Sequence, residues 1–189
     1  TIVDAVKQNM KYAHGADIGR LERLGKDYLL ATVHRQENVD DPRRFKGVAE
    51  GLARTAKRTG LPVVYPAHPR SLKMMRKLGI KFNPGLVKVV PPATYLQFLR
   101  LEDSARLILT DSGGVQEEAC VLGVPCVTLR DNTERPETIH VGANVLAGTE
   151  PGRIVRESMG MIKKRGGWKN PFGDGKAAER IVNAWTALN

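Results

Sequence analysis

The sequence predicts an α/β fold built on a doubly wound parallel sheet of about six strands. Short β-type runs alternate with helical stretches along the chain, and the apolar content of those runs is continuous rather than alternating. A strand that is apolar on both faces must be covered on both, which requires a parallel sheet between two helical layers. At 189 residues and 41% apolar content, the chain can bury a real core and fits one domain or a large half of a two-domain enzyme.

The elements follow in order. The first helix is predicted over Val3 to Ala13, where Val3, Val6, Met10 and Ala13 keep the 3.6-residue period. A strand at Tyr28 to Val33 precedes a helix over Pro42 to Thr59, and a strand at Pro62 to Tyr65 precedes a helix over Pro69 to Leu78. Proline at 42 and 69 suits a helix start, because its missing N–H is not needed there. Strand Leu86 to Val90 leads to helix Ala93 to Arg100, strand Leu107 to Thr110 to helix Val115 to Leu122, and strand Val124 to Leu129 to helix Pro136 to His140. A weaker strand at Asn144 to Leu146 and helices over Gly152 to Lys164 and Asp174 to Ala187 complete the reading.

The formal charge of +10 and pI near 9.9 raise the question of nucleic acid. The pattern argues against it. Arg43, Arg44, Lys46, Arg54, Lys57 and Arg58 interleave with Phe45, Val48, Leu52 and Ala56 at helical spacing, the solvated face of an amphipathic helix. Aromatics make up only 5% of residues and no base-stacking surface is visible, so an acidic small substrate such as a nucleotide derivative is favoured. No run of about 18 apolar residues and no cleavable leader appear, so no membrane partner is expected and the chain reads as cytoplasmic. Cys120 and Cys126 match neither zinc nor redox spacing and read as buried free thiols; no metal site is expected.

Sites on a doubly wound sheet form beyond the carboxyl ends of its strands. There the sequence reads HRQEN, PAHPR, PPATY, DSGGVQEE and RDNTERPE, where chemistry-capable residues are densest. In DSGG, Asp111 or Ser112 can cap the helix, while Gly113 and Gly114 permit a tight turn and close approach of a ligand to the amides. Free N–H groups and the helix dipole favour a phosphate or diphosphate there, though an ordinary strand-to-helix turn has the same residues. If a nucleotide lies across the turn, Glu118, about one helical turn on, is placed to accept from both ribose hydroxyls, and Glu117 points elsewhere, into a structural ion pair. His34 can donate to a leaving phosphate oxygen or shuttle a proton, or simply sit in a capped turn. His68 is as readily structural as functional. Arg135 either holds a phosphate or is neutralised by Glu134 and Glu137. Phe98 is core by periodicity or the wall of a base pocket.

Together HRQEN, YPAHP, DSGGVQEEACVLGVPCVTLR, TERPE and NPFGDGKAAERIV resemble the C-terminal half of the non-hydrolysing UDP-N-acetylglucosamine 2-epimerases, in order and over almost the whole chain. The resemblance implies one half of a glycosyltransferase-B type architecture, in which two Rossmann-like domains hold a UDP-sugar between them. Residues 1–189 are then the second domain with its final crossing helix, and the N-terminal domain is absent from this chain. The implied reaction interconverts UDP-N-acetylglucosamine and UDP-N-acetylmannosamine, by elimination of UDP to a glycal and re-addition on protonation of the other face.

Carried over by position, Ser112, Gly113 and Gly114 match the diphosphate-binding turn, Glu118 the ribose-binding carboxylate, Arg135 a UDP contact and Phe98 the uracil side. His34 matches a histidine important for catalysis. Arg35 and His68 match contacts to a second, regulatory UDP-N-acetylglucosamine in bacterial members. Gln36 departs from the pattern, standing where many members have a second arginine. The resemblance further implies a homodimer when full length, proton-moving carboxylates supplied by the first domain, and no NAD or other cofactor. Competing readings are a UDP-sugar glycosyltransferase of the same architecture, a hydrolysing epimerase, and a UDP-sugar-binding regulatory module.

Overall fold

The computed structural model describes residues 1–164 and 166–187. Its strands are β1 (Leu29–Thr32), β2 (Val63–Pro66), β3 (Val87–Val90), β4 (Leu107–Thr110), β5 (Cys126–Thr128) and β6 (Asn144–Leu146). Its helices are α1 (Ile2–Ala13), α2 (Gln36–Val39), α3 (Pro42–Thr59), α4 (Pro69–Leu78), α5 (Tyr95–Ser104), α6 (Gly113–Leu122), α7 (Pro136–His140), α8 (Pro151–Met161) and α9 (Ala177–Thr186). The strands form one sheet, ordered β3-β2-β1-β4-β5-β6, and every neighbouring pair is parallel. This is the doubly wound, Rossmann-like order, and its direction of winding reverses between β1 and β4. A crevice must open beyond the carboxyl ends of those two strands, because the loops leaving them diverge to opposite faces.

Both sheet faces are covered. Leu29, Ala31, Leu107 and Leu109 pack on one side with Phe45, Val48 and Leu52 of α3 and Ile154 of α8. Leu30, Val64 and Ile108 point to the other, against Leu101 of α5 and Val115 and Ala119 of α6. The central strands therefore have no polar face to show. Leu29, Leu30, Leu107, Ile108 and Leu109 are all fully buried, each worth about 1.5–3 kcal/mol.

Prolines open α3, α4, α7 and α8 in their first turns, and the side chains of Asp41 and Glu150 cap α3 and α8 by accepting from the next backbone N–H groups. The basic residues of α3 lie toward solvent and its apolar residues toward the core, as the spacing predicts. Two α3 glycines let α8 in: a Cβ at Gly47 would stand 2.3 Å from the Thr149 carbonyl oxygen, and one at Gly51 2.6 Å from Ile154 Cδ1.

Where bounds differ from the sequence reading, two shifts have a local hydrogen-bonded cause. Thr94 and Gln97 form a reciprocal capping box, so α5 starts at Tyr95 rather than Ala93, and it continues past Arg100 to Ser104. The Val124 N–H bonds back to the Ala119 carbonyl at the end of α6 and is lost to β5, which is shorter than predicted. The 3-10 turn at Gly19–Leu24 and the four-residue α2, which begins inside HRQEN, were not predicted. Cys120 and Cys126 are free and buried. Among the described residues no helix is long and apolar enough to cross a membrane. The last helix, α9, is amphipathic but buries none of its residues, and Ile181, Val182 and Trp185 are 69%, 59% and 69% exposed.

Candidate functional site

The crevice between β1 and β4 is organised by one carboxylate. Asp111, fully buried at the end of β4, accepts from the backbone N–H of His34 and of Arg35 and from Asn38 Nδ2, at 3.0–3.1 Å. Asn38 donates also to the Leu129 carbonyl beyond β5, tying three strand ends together. The expectation that Asp111 or Ser112 caps α6 is therefore corrected: Asp111 reaches across to the loop after β1, and Ser112 makes no side-chain cap. Its own N–H is instead held by Thr110 Oγ1 at 3.0 Å.

An uncapped helix start leaves first-turn N–H groups for another acceptor and exposes the positive end of the helix dipole to it. The turn does not need these glycines' conformational freedom, a second correction. Neither Gly113 nor Gly114 has a positive φ. A Cβ at Gly114 would meet nothing closer than Ser112 Oγ at 4.0 Å. One at Gly113 would meet Glu134 Oε2 at 3.5 Å, Arg35 Nη2 at 3.8 Å and Arg135 Cγ at 3.9 Å, so two arginines stand beside this turn.

Glu117 and Glu118 part company on α6. Glu117 Oε1 stands 2.8 Å from Arg135 Nε in an ion pair, although the Nε–H is not aimed at the oxygen, so the attraction is Coulombic rather than a hydrogen bond. Glu118 turns inward and is 8% exposed. Burial pushes its carboxyl up to about 7; a hydrogen bond with the Tyr95 hydroxyl pulls down and the Glu117 charge pushes up.

The charges of TERPE do not cancel locally. Arg130 is almost fully buried and binds Glu37 at 2.5 Å and Glu134 at 2.8 Å. Arg130 holds the Glu134 carboxyl below its usual range, with a smaller contribution from Arg35 at 3.8 Å. Thr133 Oγ1 accepts from the Arg135 N–H and donates to Gln116 Oε1, anchoring the start of α7 to α6. Arg130 is a structural anchor of this rim that the sequence reading did not single out, and Asp111 is one that it read as a helix cap.

Beside the turn lies a cavity of about 250 Å³ lined by Thr32, His34, His68, Phe98, Val115 and the Pro92-Ala93 segment. His34 Nδ1 is 3.5 Å from Asp111 Oδ1, which orients the ring and turns Nε2 away from the carboxylate. The His34 and His68 ring centroids lie 6.3 Å apart, the rings tilted by 45°. His68 also has a structural task, since its Nδ1 accepts the Arg70 N–H at the head of α4. Phe98 is half-buried, packing on the core with one side and on the cavity with the other. All the predicted site residues thus sit on one rim, with Glu118 behind it. Among the described residues no group of three His, Cys, Asp or Glu side chains stands close enough to hold a metal ion.

Comparison with known proteins identifies a family and related folds. Residues 1–186 match the family described as UDP-N-acetylglucosamine 2-epimerase. A relative of that name from Methanocaldococcus jannaschii is 46% identical over 194 residues, covering 98% of this chain and 53% of its own. A crystal structure of the M. jannaschii UDP-GlcNAc 2-epimerase in complex with UDP-GlcNAc and UDP superposes with a TM-score of 0.89 at 46% identity, over 98% of this chain and 53% of that one. A Pseudomonas aeruginosa UDP-2,3-diacetamido-2,3-dideoxy-D-glucuronate 2-epimerase is 43% identical over 158 residues, covering 82% of this chain and 43% of its own. The chain spans about half the length of the relatives it matches.

Proposed function

Because the chain belongs to the UDP-N-acetylglucosamine 2-epimerase family, we propose that it is the nucleotide-binding half of a non-hydrolysing epimerase that interconverts UDP-N-acetylglucosamine and UDP-N-acetylmannosamine. The observation that carries this is the uncapped start of α6 at the sheet's reversal point, with arginines beside it and a buried carboxylate one turn inside. A bare phosphate would gain nothing from that carboxylate. A nucleoside diphosphate uses both, with diphosphate at Ser112 to Gly114 and ribose at Glu118. Phe98 then walls the uracil side of the cavity.

In this reading UDP leaves C1 as the C2 proton is removed, and negative charge grows on the departing diphosphate. The N–H groups of α6 and the Arg135 charge stand beside it before the reaction starts, where they stabilise the transition state most. His34, its ring set by Asp111, gives a proton to a diphosphate oxygen and recovers it on re-addition. Arg35 and His68 are the contacts for a second UDP-N-acetylglucosamine that regulates the enzyme.

The groups that move the C2 proton belong to a preceding domain, and the exposed apolar face of α9 supports a crossing helix that packs on it. Incubating UDP-N-acetylglucosamine in deuterated water with full-length protein should place deuterium at C2 and yield UDP-N-acetylmannosamine without free UDP or free sugar. Residues 1–189 alone should bind UDP weakly and exchange nothing. Accumulating UDP would instead indicate a hydrolase or transferase.

A further inference from the structure

Glu102, the eighth residue of α5, is fully buried, and neither of its carboxyl oxygens has a hydrogen-bond donor among the described residues. An uncompensated buried carboxylate costs several kcal/mol, so a native fold keeps one only in another protonation state or for another purpose. What Glu102 faces across the contact between α5 and α6 is a second carboxyl, Glu118. Two carboxyl groups attract only when one carries a proton and donates it to the other; with both ionised they repel.

The other titratable groups nearby set the direction. From α5 the Tyr95 hydroxyl hydrogen-bonds Glu118, from β5 the Cys126 thiol lies close enough to Glu102 for their charges to be felt, and from α6 the Glu117 charge opposes ionisation of Glu118. Burial, the Glu118 charge and a hydrogen bond with Glu118 act on Glu102, and all three raise its carboxyl well above the usual range. Glu118, slightly exposed and with a tyrosine donor, is the member that ionises first.

We propose that Glu102 is a positioning residue for nucleotide recognition: as a neutral acid it donates to Glu118 from the core side, fixing that carboxylate as the acceptor for the two ribose hydroxyls. This rests on the assignment of Glu118 to ribose. It adds a residue with no ligand contact of its own, one turn beyond Phe98 on the buried side of α5. It also makes ribose recognition depend on pH, because Glu118 can accept from both hydroxyls only when ionised.

The test uses full-length protein and calorimetric titration with UDP and 2′,3′-dideoxy-UDP between pH 5.5 and 8.5. Wild-type protein should prefer UDP, and the preference should grow as pH rises through Glu118 ionisation. Glu102→Leu fills the same space without the stranded acid, so it should fold at least as well, which thermal melting checks. Its preference for UDP at pH 7 should fall roughly tenfold and its pH midpoint move upward, since Glu118 has lost the donor that favours its charge. Glu102→Gln, which keeps a donor but cannot titrate, should restore both. A Glu102→Leu variant with the wild-type preference and midpoint overturns the proposal alone. Wild-type protein that binds both nucleotides equally overturns the ribose assignment and, with it, this inference.

Discussion

Replacing Gly114 by alanine separates what the fold needs from what a ligand needs. Gly114 is the second residue of α6, without positive φ, and a Cβ there meets nothing closer than Ser112 Oγ at 4.0 Å. The protein has no steric objection to a methyl group, and alanine in place of a helical glycine should stabilise by about 0.5–1 kcal/mol, raising Tm by roughly 1–4 °C in a chain of this size. The methyl projects into the approach to the free amides. Losing one charge-assisted amide–phosphate hydrogen bond of about 1.5–3 kcal/mol weakens UDP binding roughly 10- to 100-fold. Thermal melting with and without UDP, and calorimetric titration of UDP, read both signs at once. A variant that is more stable and binds UDP as tightly as wild type would refute the placement of the diphosphate; one that melts lower would refute the open space.

Further expectations follow from neighbouring features. His34→Gln should lower kcat of the full-length enzyme about 10²- to 10⁴-fold while leaving UDP affinity within a few-fold, since a proton donor matters only as the bond breaks; steady-state kinetics with calorimetry resolves the two. Gly47→Ala should cost about 1–3 kcal/mol in urea denaturation, because its Cβ would stand 2.3 Å from the Thr149 carbonyl oxygen and α8 must move. Stability without ligand should fall by up to a few kcal/mol as pH rises from 4.5 to 7, because Glu118 keeps a proton up to about 7 in the folded state that the unfolded chain gives up near 4.5. Glu102 continues that fall above the window, whereas carboxyls held low, such as Glu134, act only below it. Denaturant midpoints at pH 5 and 7.5 check the sign.

The strands were legible because burial on both faces writes an unbroken apolar run, and several helices because proline marks their first turn. The rim was legible as a set of segments, since topology sends strand ends to one edge. What escaped depends on pairings distant in sequence. Asp111 reads as a helix cap until His34 and Arg35 are seen to donate to it across more than seventy residues. The four-residue α2 is too short to show a period. Glu102 escaped because the predicted helix stopped at Arg100. Yet it lies four residues after Phe98 and three after Leu99, on the buried side of α5, and a carboxylate in that register was the available signal.

The cross-strand grip of Asp111 also bears on how fast a ligand is captured. Because the segment after β1 is already pinned in the absence of ligand, the entropy of ordering it is met during folding and does not subtract from affinity. Encounter with this half then resembles docking onto a rigid edge, limited by diffusion and by the electrostatic pull of the arginines. If the chain is the nucleotide-binding half of an epimerase, as proposed, a slow step in turnover lies away from this pinned rim, in domain closure or product release.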